Sequence, residues 1–240
     1  MHHAGITSLV IRILERRSSQ DVRASIKWRA SSRLSGNEPR HCNMQTAHHR
    51  IHSLLRILER LSLPVVTAES CTSGALASAL SSRTKSPTML LGGIIAYSNP
   101  VKQRLLSVDA LILDEQKGPG EVSKECALAM TKGAMKDGGI LEINGQGIAI
   151  STTGFLNGGP PGREGEVWIG CRWKFGNNVG SRAEQFWVQE NEDNVEEQGH
   201  DEAADARDKE KHWVVDKALI ILMDVAAELD KKSQGKAAVL

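Results

Sequence analysis

Residues 65–74 read Val-Val-Thr-Ala-Glu-Ser-Cys-Thr-Ser-Gly, a β-branched apolar run that ends in a carboxylate and four small hydroxyl or thiol side chains. Ser70, Cys71, Thr72 and Ser73 are each a nucleophile or hydrogen-bonding group by type. Ser70, Thr72 and Ser73 are also good helix N-caps, and the amides of a helix start bind anions, so capping and ligand binding are compatible here. A nucleophile needs a base, and the histidines restrict the choice. All eight, at positions 2, 3, 41, 48, 49, 52, 200 and 212, lie outside residues 53–199, which leaves His212 as the one imidazole a flank could lend. A lysine, a tyrosine or a carboxylate is the expected partner for Ser70. Cys71, with no local histidine to lower its pKa, reads as a small buried thiol.

The chain's single tyrosine, Tyr97, stands five residues before Lys102 in Tyr-Ser-Asn-Pro-Val-Lys-Gln-Arg-Leu-Leu-Ser-Val. A helix opening near Asn99 carries Lys102 about one turn in. That places a phenol and an ammonium at the carboxyl edge of a sheet, where open α/β folds bind ligands. Strand-end packing for Tyr97 and a surface charge for Lys102 are the plain alternatives. The Gly/Pro-rich run 151–170 lets backbone amides approach a ligand and equally serves as a simple β-connection. No Walker A pattern and no Gly-x-Gly-x-x-Gly after a strand is present, which disfavours ATP-driven and dinucleotide chemistry.

The elements that must position these groups follow from periodicity. Ile51, Leu54, Leu55, Leu58 and Leu61 have helical spacing over 47–61. A strand follows at 64–68, then a tight loop and a helix through Ser-Gly-Ala-Leu-Ala-Ser-Ala-Leu-Ser-Ser. A strand-like stretch with a Gly-Gly break covers 89–98. A helix over 123–137 has Ser123 as N-cap and Gly138-Gly139 as its stop. Strands are predicted at 148–152, 166–173 and 184–189, and an apolar helix at 213–229. Alternating strands and helices predict an α/β fold, a three-layer α/β/α sandwich around a mixed, mostly buried sheet.

Composition narrows the partners. The 240 residues carry a net charge of +1, which argues against a general role on nucleic acid, and no apolar run is long enough for a membrane span. Cys42, Cys71, Cys126 and Cys171 have neither disulfide-framework nor zinc-site spacing, so a reducing compartment is favoured. Charge is uneven: residues 1–50 hold nine basic against three acidic residues, and 190–210 hold ten acidic against two basic. Residues 1–43 read as a basic, disordered leader or a transit-like segment, with Met44 an alternative start. The location expected is cytoplasmic, or mitochondrial if that segment is a transit sequence. The stretch 190–210 reads as a solvated loop or disordered insertion. The pentad Arg-Ile-Leu-Glu-Arg recurs at 12–16 and 56–60, which does not make a repeat architecture.

In order, four blocks resemble the C-terminal domain of the CinA family: Thr-Ala-Glu-Ser-Cys-Thr-Ser-Gly (67–74), Gly92-Gly93 with Tyr97 to Val108, Gly-Glu-Val-Ser-Lys-Glu-Cys-Ala-Leu-Ala-Met (120–130), and Thr153-Gly154 with Gly-Glu-Val-Trp-Ile-Gly (165–170). The resemblance covers roughly 47–230 and places the domain at 44–235, with the acidic insertion inside it. It implies conversion of nicotinamide mononucleotide to nicotinate mononucleotide and ammonia, without metal or other cofactor. Ser70 would be the nucleophile, and Lys102 with Tyr97 the proton acceptor and later donor. Thr72, Ser73, Gly74, Thr153 and Gly154 would hold the nucleotide and supply oxyanion amides, with Glu69 and Asn99 also on the substrate side. The partner is then a small nucleotide, with no nucleic acid or membrane, and a homo-oligomer is allowed. Three departures stand out. Ser73 replaces a family glycine, the Gly/Pro loop reads Thr-Gly-Phe-Leu-Asn-Gly-Gly-Pro-Pro-Gly-Arg-Glu, and the family's Gly-Asp-Arg-x-x-x-Arg context before the last helix is not matched, leaving Lys211 or His212 as substitutes. The N-terminal region is also too short for the family's larger companion domain, which suggests a stand-alone version. These departures keep a second expectation open, a catalytically weak member that binds a nucleotide or a protein partner.

Overall fold

The computed structural model describes residues 44–82, 89–137, 145–156, 158–188 and 200–237. The leader assigned to 1–43, the stop at Gly138-Gly139 and the first half of the acidic stretch lie outside the described residues. Among the described residues, eleven elements follow one another: α1 (Met44–Leu61), β1 (Val65–Glu69), α2 (Ala75–Ser81), β2 (Leu90–Ile95), α3 (Asn99–Leu106), α4 (Ala110–Leu113), α5 (Lys124–Asp137), β3 (Gly147–Gly154), β4 (Glu166–Phe175), β5 (Asn178–Trp187) and α6 (His200–Ala237).

The strands form one sheet in the order β2-β1-β3-β4-β5. β1 runs parallel to both β2 and β3, while β3–β4 and β4–β5 are antiparallel. The sheet is mixed, as its sequence pattern predicts. β1 is buried throughout, and its successive residues feed opposite cores. Val65 joins Ile51, Leu54, Leu58, Leu76, Leu80, Ile148, Ile150 and the apolar stripe of α6 on one face. Val66 and Ala68 join Leu106, Leu113, Cys126, Met130 and Ala149 on the other. Helices α1, α2 and α6 therefore cover one side and α3, α4 and α5 the other, a three-layer sandwich. Full burial of a Leu or Val side chain is worth about 1.5–3 kcal/mol, so the stripe Val214, Val215, Ala218, Leu222, Val225 and Leu229 secures α6 without help from its polar contacts. Arg60 of α1 adds a two-pronged pair with Asp230 (3.1 and 2.5 Å).

Two expectations need correction. The last helix begins at His200, thirteen residues before the predicted start, so the acidic residues 200–210 are helical rather than loop. Apolar periodicity is absent there, because these turns stand ahead of the part of the helix buried against the sheet. The fifth strand spans 178–187, starting earlier than the predicted 184–189, since its exposed side chains alternate with half-buried ones and weaken the apolar signal.

Small residues set how closely α5 approaches its neighbours. A Cβ on Gly170 would lie 2.7 Å from the Ala127 carbonyl oxygen, and one on Gly133 would lie 2.0 Å from that of Leu106. The Ser151 hydroxyl donates to the Ala127 carbonyl at 2.7 Å. α5 is thereby clamped on β3, β4 and α3, and its first turn is aimed at the sheet edge where Ser70 lies. Gly133→Ala, normally favourable in a helix interior by about 1 kcal/mol, is expected to destabilise here by about 2 kcal/mol through overpacking. Urea unfolding checks this, and a raised midpoint would contradict the close approach.

Candidate active site

Glu69, the last residue of β1, is fully buried, and its carboxylate accepts five hydrogen bonds. Oε1 takes the Thr67 hydroxyl (2.9 Å) and the Ala77 amide (2.8 Å). Oε2 takes the Thr72 hydroxyl (2.7 Å) and the amides of Gly74 (2.9 Å) and Leu76 (3.0 Å). The helix start is thus capped by the carboxylate of the strand that precedes it, a favourable place for negative charge. The Gly74 amide, predicted to serve substrate, is committed to Glu69, and the Ser73 amide donates to the Ser70 carbonyl at 3.1 Å. Thr72 is buried, and its hydroxyl lies 2.7 Å from that of Thr152. Glu69 and Thr72 build the turn from inside it.

The turn presents Ser70. Its amide donates to the Thr152 carbonyl (2.9 Å) and its hydroxyl to the Tyr97 carbonyl (3.5 Å, a weak bond). Ser73 is exposed with φ 51°, and Gly74 follows at φ 99°. The glycine that the family resemblance implies at position 73 would suit this left-handed backbone, which costs an L residue about 1–2 kcal/mol. Gly93 in β2 answers a different demand: a Cβ there would lie 2.7 Å from the Thr67 hydroxyl that serves Glu69. Cys71 is buried, and burial, ahead of every other influence, pushes its thiol up to about 12, which keeps it from acting as a thiolate near neutral pH.

Helix α3 opens at Asn99 after Ser98, with Pro100 in its first turn, and carries Lys102 inward. The alternative of a surface charge is excluded: Lys102 is 1% exposed. Its ammonium donates to Asn99 Oδ1 at 3.5 Å and stands 3.7 Å from Glu121 Oε2. Tyr97 is 57% exposed, and its phenol oxygen accepts from Arg207 of α6 at 3.1 Å rather than engaging Lys102. Ser70 and Lys102 do not hydrogen-bond to each other; Ser70 follows β1 and Lys102 lies on the helix that follows β2, both beyond the carboxyl ends of these parallel strands. Thr153, buried at the end of β3, donates to the Glu121 carbonyl at 2.8 Å. Gly154 is needed where it stands because a Cβ would lie 2.7 Å from Val167. His212 contacts the Asp208 carbonyl of its own helix at 2.7 Å.

The altered Gly/Pro loop has its own staple. Arg163 donates to Glu166 (2.5 Å) and to the Val122 carbonyl, and its guanidinium lies over the Phe155 ring at 5.1 Å. Burial alone would raise the Glu166 carboxyl. The hydrogen bonds from Arg163, Trp168 and Gln185 and the Arg163 charge outweigh it and hold the carboxyl below the usual range.

The sequence pattern of the CinA C-terminal domain matches residues 47–209. The chain belongs to the CinA C-terminal domain family. A CinA-like protein of Chlorobium limicola is 41% identical over 115 residues, covering 48% of this chain and 24% of that protein. One from Parasynechococcus marenigrum is 33% identical over 132 residues, covering 55% and 31%. The chain therefore spans about a quarter to a third of the length of these curated relatives. Among solved structures, the competence damage-inducible protein A (ComA) of Klebsiella pneumoniae superposes with a TM-score of 0.57 at 25% identity, over 75% of this chain and 97% of that one. The CinA superfamily protein of Klebsiella pneumoniae 700603 gives 0.54 at 26%, over 76% and 98%.

Three residues that the structure brings near the predicted site residues are not singled out by the sequence. Arg207 was hidden in a stretch read as solvated insertion, although Arg207 and Lys211 keep the Arg-x-x-x-basic spacing sought there. Glu121 occupies a variable position of the third block, and Arg163 a departure in the fourth. Glu69→Gln, which turns an acceptor oxygen into a donor facing donors, is expected to cost about 3 kcal/mol, whereas Ser73→Gly is expected to hold or slightly raise stability. Thermal unfolding distinguishes them, and an unaffected Glu69→Gln would refute the anchoring role.

Proposed function

We propose that this chain is an amidohydrolase that converts nicotinamide mononucleotide to nicotinate mononucleotide and ammonia through Ser70. The observation that carries the reading is the burial of Lys102. A desolvated ammonium whose polar partners among the described residues are Asn99 at 3.5 Å and Glu121 at 3.7 Å is a costly arrangement, and it lies on the helix that follows β2, beside the strand that precedes Ser70. A lysine that is neutral when substrate is bound can accept a proton as a general base.

In this mechanism neutral Lys102 takes the Ser70 proton as Oγ attacks the carboxamide carbon. The tetrahedral intermediate collapses with the proton passing from Lys102 to the departing nitrogen, and ammonia leaves. Water, deprotonated by the same amine, then cleaves the Ser70 ester and releases the carboxylate. Asn99 orients Lys102, and the Tyr97 carbonyl orients the Ser70 hydroxyl. Arg207 brings positive charge to the Tyr97 side of the cleft, which suits a nucleotide phosphate. Glu69, Thr72, Thr152 and Thr153 position these groups, and no step calls for a metal or cofactor.

A second reading, a member that binds a nucleotide with weak turnover, is favoured by the missing hydrogen bond between Ser70 and Lys102, although such bonds are often long before substrate arrives. Ammonia release from nicotinamide mononucleotide by purified protein separates the two. Ser70→Ala and Lys102→Ala are expected to lower the rate by at least about a thousandfold, with Cys71→Ala remaining within about tenfold. No release by the wild type, or loss in Cys71→Ala alone, would overturn the amidase reading.

A further inference from the structure

The run Gly120–Ser123, between α4 and α5, has its carbonyls held one after another by side chains from different elements. The Ser123 hydroxyl donates to the Gly120 carbonyl (2.7 Å) and accepts from the Cys126 amide (3.1 Å), capping α5. Thr153 of β3 holds the Glu121 carbonyl and Arg163 of the Gly/Pro loop holds that of Val122. Three consecutive carbonyls secured in this way leave little freedom to the backbone, and what the run delivers into the cleft is the Glu121 side chain. That side chain is about one-third exposed, whereas the Lys102 side chain it meets is 2% exposed.

Among the described residues, the Lys102 ammonium contacts Asn99 of its own helix and Glu121 of the run ahead of α5, and its charge also reaches the thiols of Cys71, after β1, and Cys126, of α5. The Tyr97–Arg207 pair lies at the open end of α3. Burial pushes the Cys126 thiol up to about 11, and both thiols stay neutral near pH 7. The nearby Glu69 carboxylate is spent on its five donors. Glu121 is left as the carboxylate that pairs with Lys102.

We infer that Glu121 is a positioning residue that holds Lys102 charged and oriented in the resting site, so that its carboxylate sets the pH at which the lysine begins to act as a base. The inference deepens the amidase reading and rests on it for its kinetic arm. A carboxylate 3.7 Å from an ammonium favours the protonated form. Removing the carboxylate charge therefore lets the amine appear at lower pH, and the rate rises earlier as pH increases.

The test compares wild type with Glu121→Gln, Glu121→Ala and Glu121→Asp. In Gln and Ala variants the acid limb of the kcat/KM profile on nicotinamide mononucleotide is expected to move down by about one pH unit, with Asp restoring it in part. A parallel arm follows the lysine 13Cε resonance that disappears in Lys102→Met, and expects the same downward displacement of its titration midpoint. This arm needs no turnover, so a wild type that releases no ammonia would sink the amidase reading while the resonance still decides the role of Glu121. Using two charge-removing variants guards against a folding defect in either. An unmoved resonance midpoint, or a Glu121→Asp profile identical to those of Gln and Ala, would overturn the inference.

Discussion

The site depends on the buried carboxylate of Glu69. A strand that ends inside a parallel sheet must pass its chain over the edge, and the first amides of the next helix then face inward with no helical partner. Glu69 meets three of those amides and two hydroxyls with two oxygens. That arrangement forces the tight reversal at Ser73 and Gly74, both with positive φ, and leaves Ser70 hinged between the Thr152 carbonyl below and the Tyr97 carbonyl across the cleft. The same demand explains why β2 carries Gly93 opposite Thr67. Glu69 is the interior anchor of the loop that presents Ser70.

The second half of the cleft is assembled by close packing. α3 buries Lys102 by its position over the sheet edge, and α5 approaches β4 and α3 at distances only Gly170 and Gly133 permit. Because α5 is seated this way, the residues just ahead of it reach the mouth of the site. Arg163 extends the support to the Gly/Pro loop, whose sequence departs from relatives yet is tied to Val122 and Glu166. Loop, helix start and strand ends are coupled through hydrogen bonds that are buried or part-buried.

Much of this is written in local patterns. The helical spacing of Ile51 to Leu61, the Ser123 cap and the β-branched run before Glu69 each specify an element by short-range physics, and the placement of Lys102 follows from Pro100 and the helix it opens. What could not be read is tertiary. Thr-Ala-Glu-Ser does not reveal that its carboxylate turns back on the helix start, because five donors from five residues converge only once β1 and α2 are packed. The helical character of 200–210 is concealed in the sequence by acidic residues that show no apolar period, and Arg207 is concealed with it. Glu121 gained meaning only through a lysine nineteen positions earlier in the chain.

The central claim is that Ser70 forms a covalent bond to the carboxamide carbon. Rapid acid quenching of the protein mixed with nicotinamide mononucleotide, followed by peptide mass mapping, tests it most directly. The account predicts an acyl adduct of the nicotinate nucleotide on the Ser70 hydroxyl, absent in Ser70→Ala. An adduct on Cys71, or ammonia release with Ser70 unmodified and dispensable, would contradict it.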